Sequence, residues 1–498
     1  MGTSGLESLI FGEHEFLRSG RMSIETIDLR RLDGTRIETA TNPRATRIDA
    51  SGGAAVYSYD WGTLTARYIS QTDRLEVVIE VENQSDYVIH GLRLRLFELV
   101  APDPSASKIR WMPKTKANLE GPDAVVLSYT DGHFVLANDE ISRFLLLNLV
   151  DEESRGTDRA LAVALATAIR GRHLGPTGEV SRVIYPKQVD RFLLSMRFVP
   201  MKASLEDALS PVYSRFAQSF PAQLRWPDRR PIGALFLSSS ERTSRTNPRG
   251  WFNSPELNFV SSVAHSDFQS RLLSYAEQSI SVLKRTGAQG MIVWDIEGQE
   301  YRHPISYLGN PLSLPPEMEA IVDGFFRRFT DAGLRCGVTI RPQAAVRPVY
   351  GSAASQLVLA DAVDQLKEKI RYVRQRWGCT LFYVDSNGDP NWPIDALIFR
   401  EAAAANPDVL LIPEHKTMLY YGYTAPYCEL RQGCTSTQEE VRKIYPYAFT
   451  VINVADGDLR ENWSSLVHAV QYGDVLLFRA WFEDPANAEV RKLYAAAQ

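Results

Sequence analysis

Hydrophobic and polar positions alternate with period two through roughly the first two hundred residues, in short runs broken by turn residues. Runs at 54–61, 64–69, 75–82, 91–99, 125–129, 143–149, 160–169 and 192–199 predict strands, those that alternate keeping one wet face. Polar turn signals at 83–86 and 130–132 separate them, with the spacing of a β-sandwich. Nothing in this half gathers carboxylates, histidines or cysteines at a spacing that chemistry needs, which makes it a packing or substrate-positioning module.

The period then changes. Residues 204–219 predict a helix and 220–231 are rich in proline, together a linker. Beyond it, apolar runs at 232–237, 290–294, 335–340, 380–384, 409–413, 449–454 and 474–479 alternate with amphipathic stretches at 268–286, 317–332, 361–377, 394–405 and 463–472. Apolar strands alternating with helices predict a parallel sheet covered on both faces. Seven strands over this length fit a (β/α)8 barrel better than an open sheet. No eighth strand is evident; either the barrel is incomplete or the strand hides in the insertion at 238–266. The expected organisation is a sandwich over 6–200, a linker over 201–231 and a barrel over 232–498.

Composition narrows the function. With 55 basic against 60 acidic residues the net charge is −5, so no basic field exists to hold nucleic acid. The longest apolar run, 160–169, is about half of the roughly 20 residues that cross a bilayer, so no membrane partner is expected. Four cysteines are too few for a disulfide framework and lack zinc-site spacing, although Cys428 and Cys434 could bridge one loop. Neither Gly-x-Gly-x-x-Gly nor a Walker loop occurs, and Asp295, Glu297 and His303 supply too few oxygens for a hard cation. No cofactor and no metal are expected. Residues 1–5 read as an added leader; if an export signal preceded this numbering, a secreted or periplasmic location is favoured.

In a barrel, only residues beyond the C-terminal strand ends reach substrate. Here those positions carry Trp294, Asp295 and Glu297; Arg341 and Gln343; Asp385 and Asn387; Glu414 and His415; Asp456; and Trp481. Carboxylates, an arginine and aromatics converging on one rim suit carbohydrate chemistry, in which acids break the bond and aromatic faces stack on sugar rings. A lone Asp after a strand is often the next helix's N-cap. Asp385 is a poor candidate for that, because Asp389 stands closer to the next helix. Glu is a weak cap, so Glu414 directly after an apolar strand is read as functional, an ion pair with Arg341 or Lys416 being the alternative. Asp295 and Glu297, two apart, face one side if the strand end stays extended. Trp294, Trp392, Tyr420, Tyr421 and Trp481 are ring-stacking candidates, with core packing the competing role. A nucleophile elbow is absent, and Cys434 with His415 has no orienting partner.

At Phe382-Tyr383-Val384-Asp385 and Leu411-Ile412-Pro413-Glu414 the chain resembles retaining α-glycosidases, including α-amylase-like enzymes and endo-α-N-acetylgalactosaminidases. The resemblance implies an Asp nucleophile after strand four and a Glu acid/base after strand five, hence Asp385 and Glu414 as catalytic residues acting on an oligo- or polysaccharide. It implies hydroxyl binding and ring stacking by the remaining rim residues. Two departures stand out: α-amylase-like enzymes carry Arg two residues before the nucleophile, where this chain has Tyr383, and only Glu483 is available as their third acid. An α-galactosidase-like pattern, with the acid after strand six, would instead pair Asp385 with Asp456. A non-catalytic carbohydrate-binding barrel is the reading from a different class.

Overall fold

The computed structural model describes residues 6–11, 14–100, 109–111, 123–139, 146–152, 160–170, 179–181, 183–252, 262–299, 309–342, 344–346, 355–357, 362–385, 398–414, 418–455, 457, 459–480, 484 and 486–498. It divides into two compact units, 1–220 and 221–498.

The first unit is built from two antiparallel sheets. One runs Leu146–Glu152, Ala160–Ala166, Val88–Val100, Ser23–Arg30 and Arg36–Thr41, with Leu17–Ser19 also on Val88–Val100. The other runs Ile109–Trp111, Asp123–Ser128, Gly132–Asn138, Val189–Pro200, Leu75–Asn83, Gly62–Ser70, Ala54–Tyr59 and Arg47–Ser51. Their inner faces share one hydrophobic core that includes Ile24, Leu92 and Leu94 from the first sheet and Leu64, Ile79 and Phe192 from the second. The alternation in Leu75–Asn83 explains the facing: Val77, Ile79 and Val81 are buried while Glu82 is exposed. A one-residue slip would reverse this, at about 1.5–3 kcal/mol for each side chain sent to water.

Six strands of these sheets escape the period-two reading. Ser23–Arg30 carries an extra residue, Glu25, opposite the Arg93/Leu94 step, which breaks its alternation, and Arg36–Thr41 is an edge strand with no buried position. Leu17–Ser19, Arg47–Ser51, Ile109–Trp111 and Gly132–Asn138 are the others. Residues 201–231 are shared between the units. Helix Leu205–Ser219, capped by Ser204 accepting from the Asp207 N–H, falls in the first and buries Leu209, Val212 and Phe216. In the second, the Gln223 N–H donates to the Gly422 carbonyl at 2.7 Å, and Trp226 joins the barrel core.

The second unit is an eight-stranded parallel sheet curled into a nearly closed barrel. In chain order the strands are Ile232–Phe236, Gly290–Trp294, Arg335–Ile340, Leu381–Val384, Leu410–Pro413, Tyr427–Glu429, Val451–Asn453 and Val475–Arg479, called strands one to eight below. The eighth member is thus Tyr427–Glu429 and not part of 238–266; with three residues after Ala-Pro it is too short to announce itself by period. Its discovery renumbers the rim. Asp456 follows strand seven, Trp481 and Glu483 follow strand eight, and the strand-six position falls to Glu429. Strand one pairs with strand eight, so the ladder is open only between strands five and six, where the Ala425 N–H donates to Leu411 O at 3.0 Å. Among the described residues no helix is long and apolar enough to cross a membrane.

Strands three and four approach closely at Gly337, where an added Cβ would lie 1.8 Å from the Leu381 carbonyl oxygen. Gly337→Ala therefore cannot be absorbed by a side-chain rotation; the strands must part. The expected outcome is a loss of roughly 3 kcal/mol or more, read as a fall in denaturant midpoint or as insoluble protein.

Candidate active site

The sheet register assembles the site. Ile340 pairs with Val384, and Val384 with Pro413. The next residues in register are Arg341, Asp385 and Glu414, and backbone bonds extend the ladder to them: Asp385 N–H to Ile340 O and Glu414 N–H to Val384 O, each 2.9 Å. Register-matched residues of parallel neighbours project to the same face, with strands about 4.8 Å apart. That face is the barrel interior, because Tyr383 and Ile412, two residues back, belong to its core. The result is a row of cation, carboxylate and carboxylate at the top of the packed interior.

Contacts follow from this row. Arg341 forms an ion pair with Asp385, and Asp385 and Glu414 are hydrogen-bond partners. Asp385 is buried while Glu414 is half-buried. Burial, reinforced by the neighbouring Glu414 and opposed by Arg341, pushes the Asp385 carboxyl up to about 7.

Below the row lies an aromatic floor. Trp294 stacks on Phe236 at 5.2 Å and meets Tyr383 at 5.1 Å, and Tyr383 meets Tyr427 edge-on at 5.1 Å. Burial, with Glu414 and Asp385 adding, drives the Tyr383 hydroxyl well above its usual range, so it stays protonated. Tyr383 occupies the place where α-amylase-like chains have Arg; here Arg341 brings the guanidinium to Asp385 from strand three. Across the floor, Tyr427 donates to Glu429 at 3.2 Å and receives Asn453 Nδ2 at 2.7 Å. Glu429 also takes Gln432 at 2.8 Å and an ion pair from Arg431, inside the loop closed by the Cys428–Cys434 disulfide.

Other expected positions fare differently. The strand-two end is not extended: Asp295 has φ +58°, Gly298 N–H returns to its carbonyl at 3.0 Å, and its carboxylate accepts from Gln299 at 3.0 Å. Asp295 and Glu297 therefore do not share a face as successive strand positions, and both are buried. Trp294 is core and not an exposed stacking platform. Tyr421 lies at the opposite end, its hydroxyl 3.1 Å from that of Thr450 just ahead of strand seven, and Tyr420 packs edge-on against Phe399. Gln343, Asn387, His415, Trp392, Asp456 and Trp481 lie outside the described residues, as do His303 and Glu483.

Glu429, Tyr427 and Lys369 were not singled out from sequence. Glu429 hides in the unrecognised strand six. Lys369 had a signal: it interrupts the apolar stripe of Leu366, Ile370, Val373 and Trp377 on helix Ala362–Trp377.

No protein-family model matches the sequence, and no curated protein does. Among solved structures, the chain is similar to an α-N-acetylgalactosaminidase from Bifidobacterium bifidum in complex with GalNAc, at 11% identity and TM-score 0.56, covering 99% of this chain and 93% of that one. It is also similar to a GH31 family sulfoquinovosidase from E. rectale in complex with an aza-sugar inhibitor, at 11% identity and TM-score 0.52, covering 98% and 80%. At such identity the likeness concerns the fold.

Two outcomes follow for the Asp385 carboxyl. Infrared titration of the protonated-acid carbonyl band, assigned by its loss in Asp385→Asn, should place the transition near pH 7; Glu414→Gln should move it down and Arg341→Gln up. Because the folded value lies above the ordinary 3.8, Asp385 costs the folded state nothing below about pH 4 and progressively more up to about pH 7. Melting temperatures of Asp385→Asn relative to the parent should therefore rise across that interval, and a flat difference would remove the shift.

Proposed function

We propose that the chain is a glycoside hydrolase that cleaves α-glycosidic bonds of an oligo- or polysaccharide by a retaining mechanism, with Asp385 and Glu414 as its two carboxyls. The observation that carries this is the contact between two acids held in register on adjacent strands at the C-terminal face of the barrel. Retaining enzymes work with carboxyls about 5–5.5 Å apart, whereas inverting enzymes leave about 6.5–9.5 Å for a water. Strand neighbours favour the closer arrangement. The fold shared with two structures solved with GalNAc and an aza-sugar inhibitor is compatible with this reading.

In the proposed reaction Glu414 gives its proton to the leaving oxygen while the Asp385 oxygen attacks the anomeric carbon. The glycosyl ester is then opened by water whose proton returns to Glu414. Arg341 favours the ionised form of Asp385 that attack requires, and Tyr383 offers a protonated hydroxyl beside both acids. The enclosed aromatic floor keeps bulk water from the underside of the pair, which strengthens each electrostatic interaction there.

A second reading follows the α-galactosidase-like pattern, in which the acid comes from strand six. With that strand at Tyr427–Glu429 its acid is Glu429, not Asp456. Donors from Tyr427, Arg431 and Gln432 already reach both Glu429 oxygens, so a proton carried there would displace one of them. Glu414 is preferred for that reason.

A screen against nitrophenyl glycosides of both anomeric configurations should find turnover on an α-glycoside; no turnover on either set or on oligosaccharides would leave a carbohydrate-binding barrel. Asp385→Asn should lower kcat by at least about a thousandfold. Glu414→Gln should lose roughly 10²–10⁴-fold on a natural leaving group yet keep the first bond-breaking step on an activated one. If Glu429→Gln gives that leaving-group signature and Glu414→Gln does not, the strand-six reading replaces this one.

A further inference from the structure

Strand eight carries a cation whose place in the barrel follows from register. Arg479 ends Val475–Arg479 and pairs with Ala234 of strand one. Ala234 and Leu477, two residues before Arg479, both belong to the barrel core, so Arg479 projects into the barrel interior. Its neighbours project outward: Phe478 pairs with Gly233, where an added Cβ would meet Leu283 of helix Ser262–Thr286 and the Ala480 side chain. Phe478 and Ala480 are buried, whereas Arg479 between them is exposed. An inward-facing side chain that reaches water marks the open mouth of the barrel.

Its height relative to Asp385 follows from the ladders. Through strands three, two and one, Leu381 is matched by Gly337, Ile292, Ala234 and finally Arg479. Asp385 lies four residues beyond Leu381, so on this route its level falls four residues past Arg479. On the other route Asp385 is level with Glu414, and the bond from Ala425 N–H to Leu411 O sets Glu414 level with Tyr427. Tyr427 pairs with Val451 and Val451 with Val475, four residues before Arg479. The two routes differ by eight residues, the stagger of a (β/α)8 barrel, and strand eight is four strands from strand four by either. Constant height bisects them. Arg479 therefore stands across the mouth from Asp385, on the opposite wall.

The span between them suits one sugar. Eight strands about 4.8 Å apart and tilted by about 36° close into a ring about 15 Å across. An extended arginine takes up about half of that and a carboxylate about a fifth, which leaves about 5 Å, the breadth of a single pyranose ring. The floor of Trp294, Tyr383 and Tyr427 lies beneath. With the anomeric carbon at Asp385, the opposite edge of the ring, C4 and its neighbours, meets Arg479. A guanidinium is always charged, only donates, and has a fork that fits two adjacent oxygens. We propose that Arg479 is a specificity-determining residue that binds the sugar attacked by Asp385, donating to the oxygen on C4 and to the one beside it. No bond is made or broken at these oxygens, so the contact selects the sugar and orients it for attack.

Arg479 has this role only if Asp385 is the nucleophile, as proposed above. The test compares Arg479→Met and Arg479→Lys with the parent on the best nitrophenyl α-glycoside and on its 4-deoxy and 2-deoxy analogues. Arg479→Met should lower kcat/KM on the full substrate roughly 10–100-fold, the range of a hydrogen bond to a charged group. On the 4-deoxy analogue the parent and Arg479→Met should agree within about threefold, because the contact is already gone, while on the 2-deoxy analogue the whole loss should persist. Arg479→Lys, which keeps the charge without the fork, should lie between. A loss of equal size on all three substrates would mark a structural role and overturn the proposal, as would no loss at all. If Arg479→Met does not fold, the same comparison with Arg479→Lys decides. Turnover in the parent that is indifferent to Arg479 removes this inference alone, whereas no turnover on any glycoside removes the proposed function and the inference with it.

Discussion

Enclosing two acids side by side, with one guanidinium among the described residues in direct pairing, is the constraint around which this face of the barrel is organised. The acids are adjacent because parallel strands keep register, and register is held by backbone bonds that no side-chain choice can alter. Everything near them manages the resulting charge. Arg341 offsets part of it, and the aromatic floor denies it solvent from beneath. The cost appears as a carboxyl whose proton leaves only near neutrality.

Much of this was legible in the sequence, for reasons of periodicity. Continuous apolar runs ending in Asp385 and Glu414 announce strands buried on both faces and place each acid one step beyond the core. Arg341 was visible by the same logic, although its partner was not, since register between strands separated by a helix is not written in either one. The strands of the first unit were readable where apolar residues recur at every second position, as in Leu75–Asn83, and lost where a bulge shifts them, as in Ser23–Arg30.

Other features failed to register because the physics that fixes them is non-local. Strand six has three residues, too few to display any period, and is strand only because strand seven pairs with it. The reading of Asp295 and Glu297 assumed extended backbone, whereas a left-handed turn at Asp295 ends the alternation. Tyr421 follows strand five closely, yet the chain between strands five and six carries it to the far end of the barrel, where Thr450 receives it. Lys369 was not singled out from the sequence; only its position within an apolar stripe betrays its burial.

The unequal closure of the barrel has a mechanical meaning. On one side of Glu414 the distance to Asp385 is dictated by a continuous ladder and can hardly vary. On the other side, toward Glu429, the strands are stitched by the Ala425 amide alone among the described ladder bonds, so little hydrogen bonding resists a change in that gap. The Cys428–Cys434 crosslink stiffens the Glu429 loop internally without tying it to strand five. The barrel's rim is therefore anisotropic: stiff along the ladder that joins Asp385 to Glu414, and compliant across the seam toward Glu429.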